Sequence, residues 1–373
     1  MSVKKTTTTA LAIAGAVLLS MTACAGQEST GGSGGSAGAD CNVGISMPTR
    51  SLERWINDGE GLQKKLEDAG CTVDLQYADN KTDQQISQIQ NQIAGGSKIL
   101  VVAAIDGSAL GPVLDEAKKQ DATVIAYDRL INGTENVDYY ATFDNYKVGT
   151  LQGEYIESTL GLADGAGPFN LEPFAGSPDD NNAKFFFAGA WDVLSPYVES
   201  GQLVVPSGKA PASDDDWASI GIQGWASDKA QAEMDNRLSS FYSGNEKVNV
   251  VLSPNDSLAV GIEASLKSAG YAPGDDYPVI TGQDADKSNV KAILNGEQSM
   301  TVWKDTRALG DRVFTMITSI NEGGKVEVND EKTYDNGKKV VPSYLLTPEV
   351  VVKDDVQSKL IDSGFLKGSD VGL

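Results

Sequence analysis

The chain has 373 residues, with 30 Lys and Arg against 52 Asp and Glu, a net charge of −22, and no histidine. Such a balance lacks the basic footprint that a nucleic-acid partner requires. Without histidine there is no Ser-His-Asp triad and no imidazole metal ligand, and three cysteines in all are too few for a Cys-based zinc site, so no metal or cofactor is expected.

Residues 1–23 read as a targeting leader. Lys4 and Lys5 make a basic start, and the apolar run Ala10–Ser20 is too short to span a bilayer. The small residues of "MTAC" then lead into Cys24, which resembles a bacterial lipoprotein signal with Cys24 acylated after cleavage. Met21 stands where such a signal usually has Leu, and an ordinary secretory signal cut nearby is the alternative. Residues 24–40 form a Gly/Ser-rich tether, expected to hold a folded body off the outer face of the cell membrane. The remainder, about 330 residues, is long enough for two cores of ordinary size.

From Cys41 the chain alternates short apolar runs with longer amphipathic ones. "CNVGISM", "CTVDLQYA", "SKILVVAAI", "ATVIAYD" and "VDYYATFD" read as strands, with helical patterns "LERWINDGEGLQKKLEDAG", "DQQISQIQNQIAGG" and "LGPVLDEAKKQ" between the first four. These runs are continuous rather than alternating, as parallel strands covered on both faces require. Cys41 opens the first strand and Cys71 the second. Consecutive parallel strands usually neighbour one another, so the pair is expected to form a disulfide in an oxidising compartment.

A second series, "PFNLEPFAG", "QLVVPSG", "KVNVVLSP" and "YPVITGQ", follows with its own helical stretches. Two such series predict an α/β chain of two doubly wound lobes. Past Asp284, "SNVKAILNGEQ", "SMTVWKD" and "ALGDRVFTMITSINEGG" give a helix, a strand and a helix, and "KVVPSYLLTPEVVV" gives extended segments before a short final helix.

Polar groups cluster where these strands end. Asp106, Asp128 with Arg129, and Asp144 with Asn145 follow strands of the first half; "PDDNN" (178–182), Asn255 with Asp256, and Asp284 follow strands of the second. One such acid is ordinarily a helix cap. Their recurrence in both halves, at the strand ends that line the crevice of open α/β sheets, points to a polar cleft. Carboxylates, amides and guanidinium groups suit the vicinal hydroxyls of a sugar. Trp55 and Trp225 offer flat apolar faces for a pyranose, against the alternative of packing under loops.

The stretches "GISMPTRSLERW", "LQYADNKTDQQISQIQNQI", "VIAYDRLI", "YYATFDNYKVG", "GSPDDNNAKFF", "SPNDSLAVGI", "GQDAD" and "VWKDTRALG" strongly resemble the xylose-binding and multiple-sugar-binding group of periplasmic binding proteins, which serve ABC importers. The resemblance runs from about Val43 to the C-terminus. It implies a type I periplasmic binding protein fold: two Rossmann-like lobes joined by three crossing segments, with one monosaccharide between them. The lobes are expected at 41–146 plus 285–338 and at 147–284 plus 339–373. Carried over by motif, the implied sugar contacts are Arg54, Trp55, Asp128, Arg129 and Lys304 with the first lobe, and Asp180, Asn182, Trp225, Asn255 and Asp284 with the second. Asp179 is then expected as a cap and Asn181 as a solvent-facing residue, and Asp106 is a weaker candidate. "ASDDDWASIGIQ", before Trp225, is longer and more acidic than the group's pattern.

The resulting expectation is a monomeric, lipid-anchored receptor that captures a pentose or hexose and hands it to an ABC permease, performing no reaction. A carboxylate-dependent sugar enzyme would use the same acids. A repressor of this fold would need a basic helix-turn-helix where the leader stands. A sensory co-receptor for a membrane kinase is compatible with transport.

Overall fold

The computed structural model describes residues 41–212, 214–244, 246–274 and 276–373. The leader, the tether and Cys24 lie outside the described residues.

The first series runs β1 (Asn42–Met47), α1 (Glu53–Asp68), β2 (Thr72–Tyr77), α2 (Thr82–Ala94), β3 (Ile99–Val102), α3 (Gly111–Lys119), β4 (Thr123–Tyr127) and β5 (Tyr139–Phe143). All five strands pair in parallel, in the order β2-β1-β3-β4-β5. Every residue of β3 is buried, which is what an unbroken Ile-Leu-Val-Val run needs from helices on both faces. Asn42 is in register with Thr72, so Cys41 and Cys71 start neighbouring strands. They are bridged, with their Cα atoms 4.7 Å apart and 30 residues of separation along the chain. In the chain-entropy view a loop of that length is worth about 3–4 kcal/mol.

The second series runs α4 (Asn145–Leu160), β6 (Phe169–Pro173), α5 (Asn181–Glu199), β7 (Leu203–Val204), α6 (Ser227–Phe241), β8 (Val250–Leu252), α7 (Asp256–Ser268) and β9 (Val279–Ile280). Its strands are shorter, and their order is β7-β6-β8-β9. Helices α4 and α5 cross with their backbones nearly touching. A Cβ on Gly149 would lie 1.9 Å from the Phe186 carbonyl oxygen, and one on Gly189 would lie 2.0 Å from that of Tyr146. Only glycine fits at either position.

The tail completes both lobes through α8 (Lys287–Asn295), β10 (Thr301–Trp303), α9 (Thr306–Asn321), β11 (Ser343–Leu346), β12 (Glu349–Val351) and α10 (Gly368–Val371). Here the expected boundaries need two corrections. Residues 285–303 belong with the second lobe. Met300 and Val302 join the core built on Val250 and Ile280, and Val290 and Ile293 of α8 pack with Val351, Val356 and Leu360. The chain then returns at 304–305, and Leu309, Val313 and Met316 of α9 enter the first core beside Val43 and Leu62. In the other direction, β11 was expected in the second lobe but pairs in parallel with β5, Tyr344 opposite Ala141. That makes the first sheet six-stranded among the described residues. The last crossing therefore falls at 347–348, just before β12 pairs antiparallel with β10. Two of the crossings thus fall later in the chain than the bounds expected from the resemblance, at 304–305 and 347–348 rather than at 284–285 and 338–339.

Candidate functional site

In the first lobe the site begins at the N-terminus of α1, where Arg54 and Trp55 point inward and are 8% and 2% exposed. Arg54 is clamped by carboxylates. Its Nη2 donates to Asp128 Oδ2 at 2.8 Å and to Asp58 Oδ2 at 3.0 Å, and its Nη1 donates to Asp284 Oδ1 at 3.3 Å. Lys304, just past β10, adds a second cation 3.1 Å from Asp284 Oδ1 and 4.0 Å from Asp128 Oδ2. Trp55 lies beneath two guanidinium groups, with Arg54 Cζ 4.3 Å and Arg129 Cζ 5.1 Å from its ring. Cations over an indole face are attracted by its quadrupole, so the ring and both arginines hold one another in place.

From the second lobe, Asp180 meets this cluster. Its Oδ2 lies 2.9 Å from Arg129 Nε and accepts from Trp225 Nε1 at 3.2 Å. Trp225 in turn packs its ring on the backbone of Gly176, where a Cβ would come within 2.0 Å of Cη2. It meets Phe186 edge-on, centroids 6.3 Å apart. Asn255 caps α7 by accepting from Leu258 N at 3.0 Å, which leaves its Nδ2 for other partners.

All ten side chains named from the sequence border one cavity of about 20 Å³, together with Leu52, Phe186 and Gln283. That is room for about one water, so any larger ligand enters only when the lobes part. Four atoms of the lining side chains, Arg54 Nε, Trp55 Nε1, Arg129 Nε and Gln283 Oε1, are buried without a hydrogen-bond partner, Arg129 Nε meeting Asp180 as an ion pair only. A larger hollow of about 620 Å³ beside Asp235, Tyr242 and Tyr271 is open surface with no comparable convergence of charge.

Backbone strain gathers at the same place. Asp128 (φ 62°), Trp225 (φ 54°), Asp284 (φ 101°) and Ala285 (φ 55°) occupy the left-handed region. Side chains other than glycine adopt it at a cost, and such residues concentrate at binding sites where the surrounding structure over-determines them. Around Asp128 the cause is visible: its carbonyl accepts from Tyr140 Oη at 2.7 Å, Thr142 Oγ1 at 2.9 Å and Asn182 Nδ2 at 2.7 Å.

Some expectations shift in detail. Asp180, not Asp179, is the N-cap of α5, its Oδ1 accepting from Asn182 N at 3.0 Å. It therefore caps and faces the cavity with different oxygens. Asp179 instead accepts from Ser177 Oγ and Gln223 Nε2. Asn182 borders the cavity but spends most of its bonding capacity across the lobe boundary. Besides the Asp128 carbonyl, its Oδ1 accepts from Tyr140 Oη at 2.9 Å and Asn145 Nδ2 at 3.0 Å. Asp106 turns away, closing a turn with Ser108, and Asp144 caps α4. The sequence pattern does not single out Phe186 or Gln283, although Phe186 lies four residues after Asn182 on one helix face and Gln283 directly precedes Asp284.

Charge tuning follows from these contacts. Burial pushes the Asp128 carboxyl up, but Arg54, Lys304 and Arg129 outweigh it and hold the group below the usual range. Asp128 is thus a fixed anionic acceptor at neutral pH. For Asp180 burial wins over Arg129, and its carboxyl is raised.

Asp286, one turn behind the site at the start of α8, is pushed up to about 7 by burial and then by Asp284 and Glu53. An acid raised on folding keeps a proton that the unfolded chain releases. Its contribution favours the native state at low pH and is lost between about pH 4 and pH 7. Asp286→Asn is expected to raise the thermal midpoint relative to wild type more at pH 8 than at pH 4.5. Equal shifts at the two pH values in thermal unfolding would refute this.

The family described as "Periplasmic binding protein domain" matches residues 43–325. The chain is 52% identical over 324 residues to the multiple sugar-binding periplasmic protein SbpA of Azospirillum brasilense, covering 87% of this chain and 89% of that one. It is 50% identical over 330 residues to the multiple sugar-binding periplasmic receptor ChvE of Rhizobium radiobacter, covering 88% and 92%. Among solved structures, an ABC transporter solute binding protein from Clostridium phytofermentans with bound β-D-glucose matches with a TM-score of 0.84 at 48% identity. The match covers 88% of this chain and 99% of that one.

Proposed function

The chain belongs to the periplasmic binding protein family, and from that premise we propose that its interlobe cleft captures a pentose or hexose for delivery to an ABC permease. One observation carries the reading: acids, amides, cations and two tryptophans from both lobes converge on a single buried cavity. Asp128 and Asp284 would accept from sugar hydroxyls, Arg54, Arg129 and Lys304 would donate to ring and hydroxyl oxygens, and Trp55 and Trp225 would cover the apolar faces. Charge-assisted hydrogen bonds of this kind contribute about 1.5–3 kcal/mol each, so a few of them support micromolar binding. Because the groups come from both lobes, a sugar would draw the lobes together, and the closed form would be what the permease reads. The protein is a binding protein, not an enzyme, in keeping with its family.

A thermal-shift screen of D-glucose, D-galactose, L-arabinose and D-xylose tests the reading. A sugar at 100 times its Kd adds about 2.7 kcal/mol of stability, and at least one member is expected to raise the midpoint by several degrees. No shift with any sugar at millimolar concentration would reject it. The same reading places the mature chain on the membrane through an acylated Cys24. Cys24→Ser is expected to move the protein to the soluble fraction with sugar affinity unchanged, and retention of the variant on membranes after an alkaline wash would count against the anchor.

A further inference from the structure

We infer that Asp58, which does not border the sugar cavity, is the positioning residue that fixes the Arg54 guanidinium in the first lobe before the second lobe closes; this rests on the sugar-binding reading above. Arg54 and Asp58 stand one turn apart on α1, and the Asp58 side chain is fully buried. Arg54 Nη2 spends both its hydrogens on Asp58 and Asp128, at 3.0 and 2.8 Å, and both acceptors belong to the first lobe. The third bond, to Asp284, crosses from the second lobe and is longer, at 3.3 Å. When the lobes part, the Asp284 bond breaks and the other two remain. Two carboxylates on one nitrogen, with the Trp55 ring 4.3 Å from Cζ, leave the guanidinium one orientation. Its Nε–H, which has no partner, and one Nη1–H are then aimed in fixed directions. A guanidinium held by Asp128 alone could turn about that bond, and a ligand would bear the entropy of stopping it.

The test is a double-mutant cycle read by calorimetry with the best-binding sugar of D-glucose, D-galactose, L-arabinose and D-xylose, joined to NMR of Arg54 side-chain rotation in the sugar-free protein. Asp58→Asn, which keeps the shape and loses the charge, is expected to weaken binding about fivefold and to speed Arg54 rotation. Asp58→Ala is expected to do both more strongly, with a loss of tenfold or more. In an Arg54→Lys background, neither substitution is expected to lower affinity further by more than about twofold. A purely structural Asp58 would lower affinity equally in both backgrounds and leave rotation unchanged, and either result overturns the inference. If Asp58→Ala does not fold, Asp58→Asn decides. If the wild type binds none of the sugars, the functional reading falls, while the rotation measurement still decides whether Asp58 fixes Arg54.

Discussion

Arg54→Ala is expected to abolish measurable sugar binding and to lower folding stability by about 3–5 kcal/mol, the usual consequence of removing one partner from a buried ion pair. The size follows from what is left behind. Asp58, Asp128 and Asp284 all contact this guanidinium; with it gone Asp128 and Asp284 keep only the nearby Lys304 of the ion pairs around them, and Asp58 loses the one cation it pairs with among the described residues. Each carboxylate loses an acceptor's partner at the same time as the group that favoured its ionised form. Asp128 in particular loses its largest source of lowering after burial is counted, so its carboxyl rises. The variant's deficit is therefore expected to shrink as the pH falls through the acid range. Urea unfolding at pH 7 and pH 4.5 measures both statements. Arg50→Ala is the contrast: its pair with Glu60 spans 3.6 Å, with both side chains 57% exposed. Exposed pairs of that kind contribute at most about 1 kcal/mol. Equal losses for the two variants would mean that the Arg54 cluster is no better coupled than a surface pair.

The second large effect concerns the acids that face one another across the boundary. Asp128→Asn and Asp180→Asn are each expected to weaken sugar binding at least tenfold, about 1.4 kcal/mol. Asparagine is the cleaner replacement at both places. At 128 it tolerates the left-handed backbone that alanine would adopt only with added strain, and at 180 it still caps α5. What it removes is charge opposite Arg54 and Arg129, leaving buried cations short of a partner, which costs more than the single bond. Asp179→Ala, one residue away, loses only its contacts to Ser177 and Gln223 and is expected to bind within about twofold of wild type. Calorimetric titration of the three variants distinguishes the positions. Wild-type affinity in Asp180→Asn with a tenfold loss in Asp179→Ala would place the functional acid one residue earlier.

Much of this architecture is legible in the sequence because its physics is local. Continuous apolar runs such as Ile99–Val102 demand cover on both faces, and the alternation of such runs with helical patterns sets the doubly wound order. Strand-end polar residues were likewise visible, and the ten carried over by resemblance do meet at one cavity. Partnership over distance was not visible. Nothing within Ser343–Leu346 tells the chain to pair with Tyr139–Phe143 rather than to stay with the strand that follows it, because a short apolar strand fits either sheet. The same holds for α8, whose apolar face is satisfied by segments some sixty residues later. Within "PDDNN" the choice between Asp179 and Asp180 depends on where α5 begins, and helix starts are blurred by a residue or two. Asn182 reads as a ligand by residue type, yet its bonds to Asp128, Tyr140 and Asn145 depend on how the two lobes meet.

The most direct test of capture between the lobes is calorimetric titration of the wild-type protein with each sugar of the panel, repeated on Asp128→Asn and Asp180→Asn. Saturable binding of one sugar per chain, weakened at least tenfold by a change in either lobe, is the expected result. Binding that is absent for every sugar, or that survives unchanged when one lobe's acid is neutralised, would contradict a site shared by both lobes.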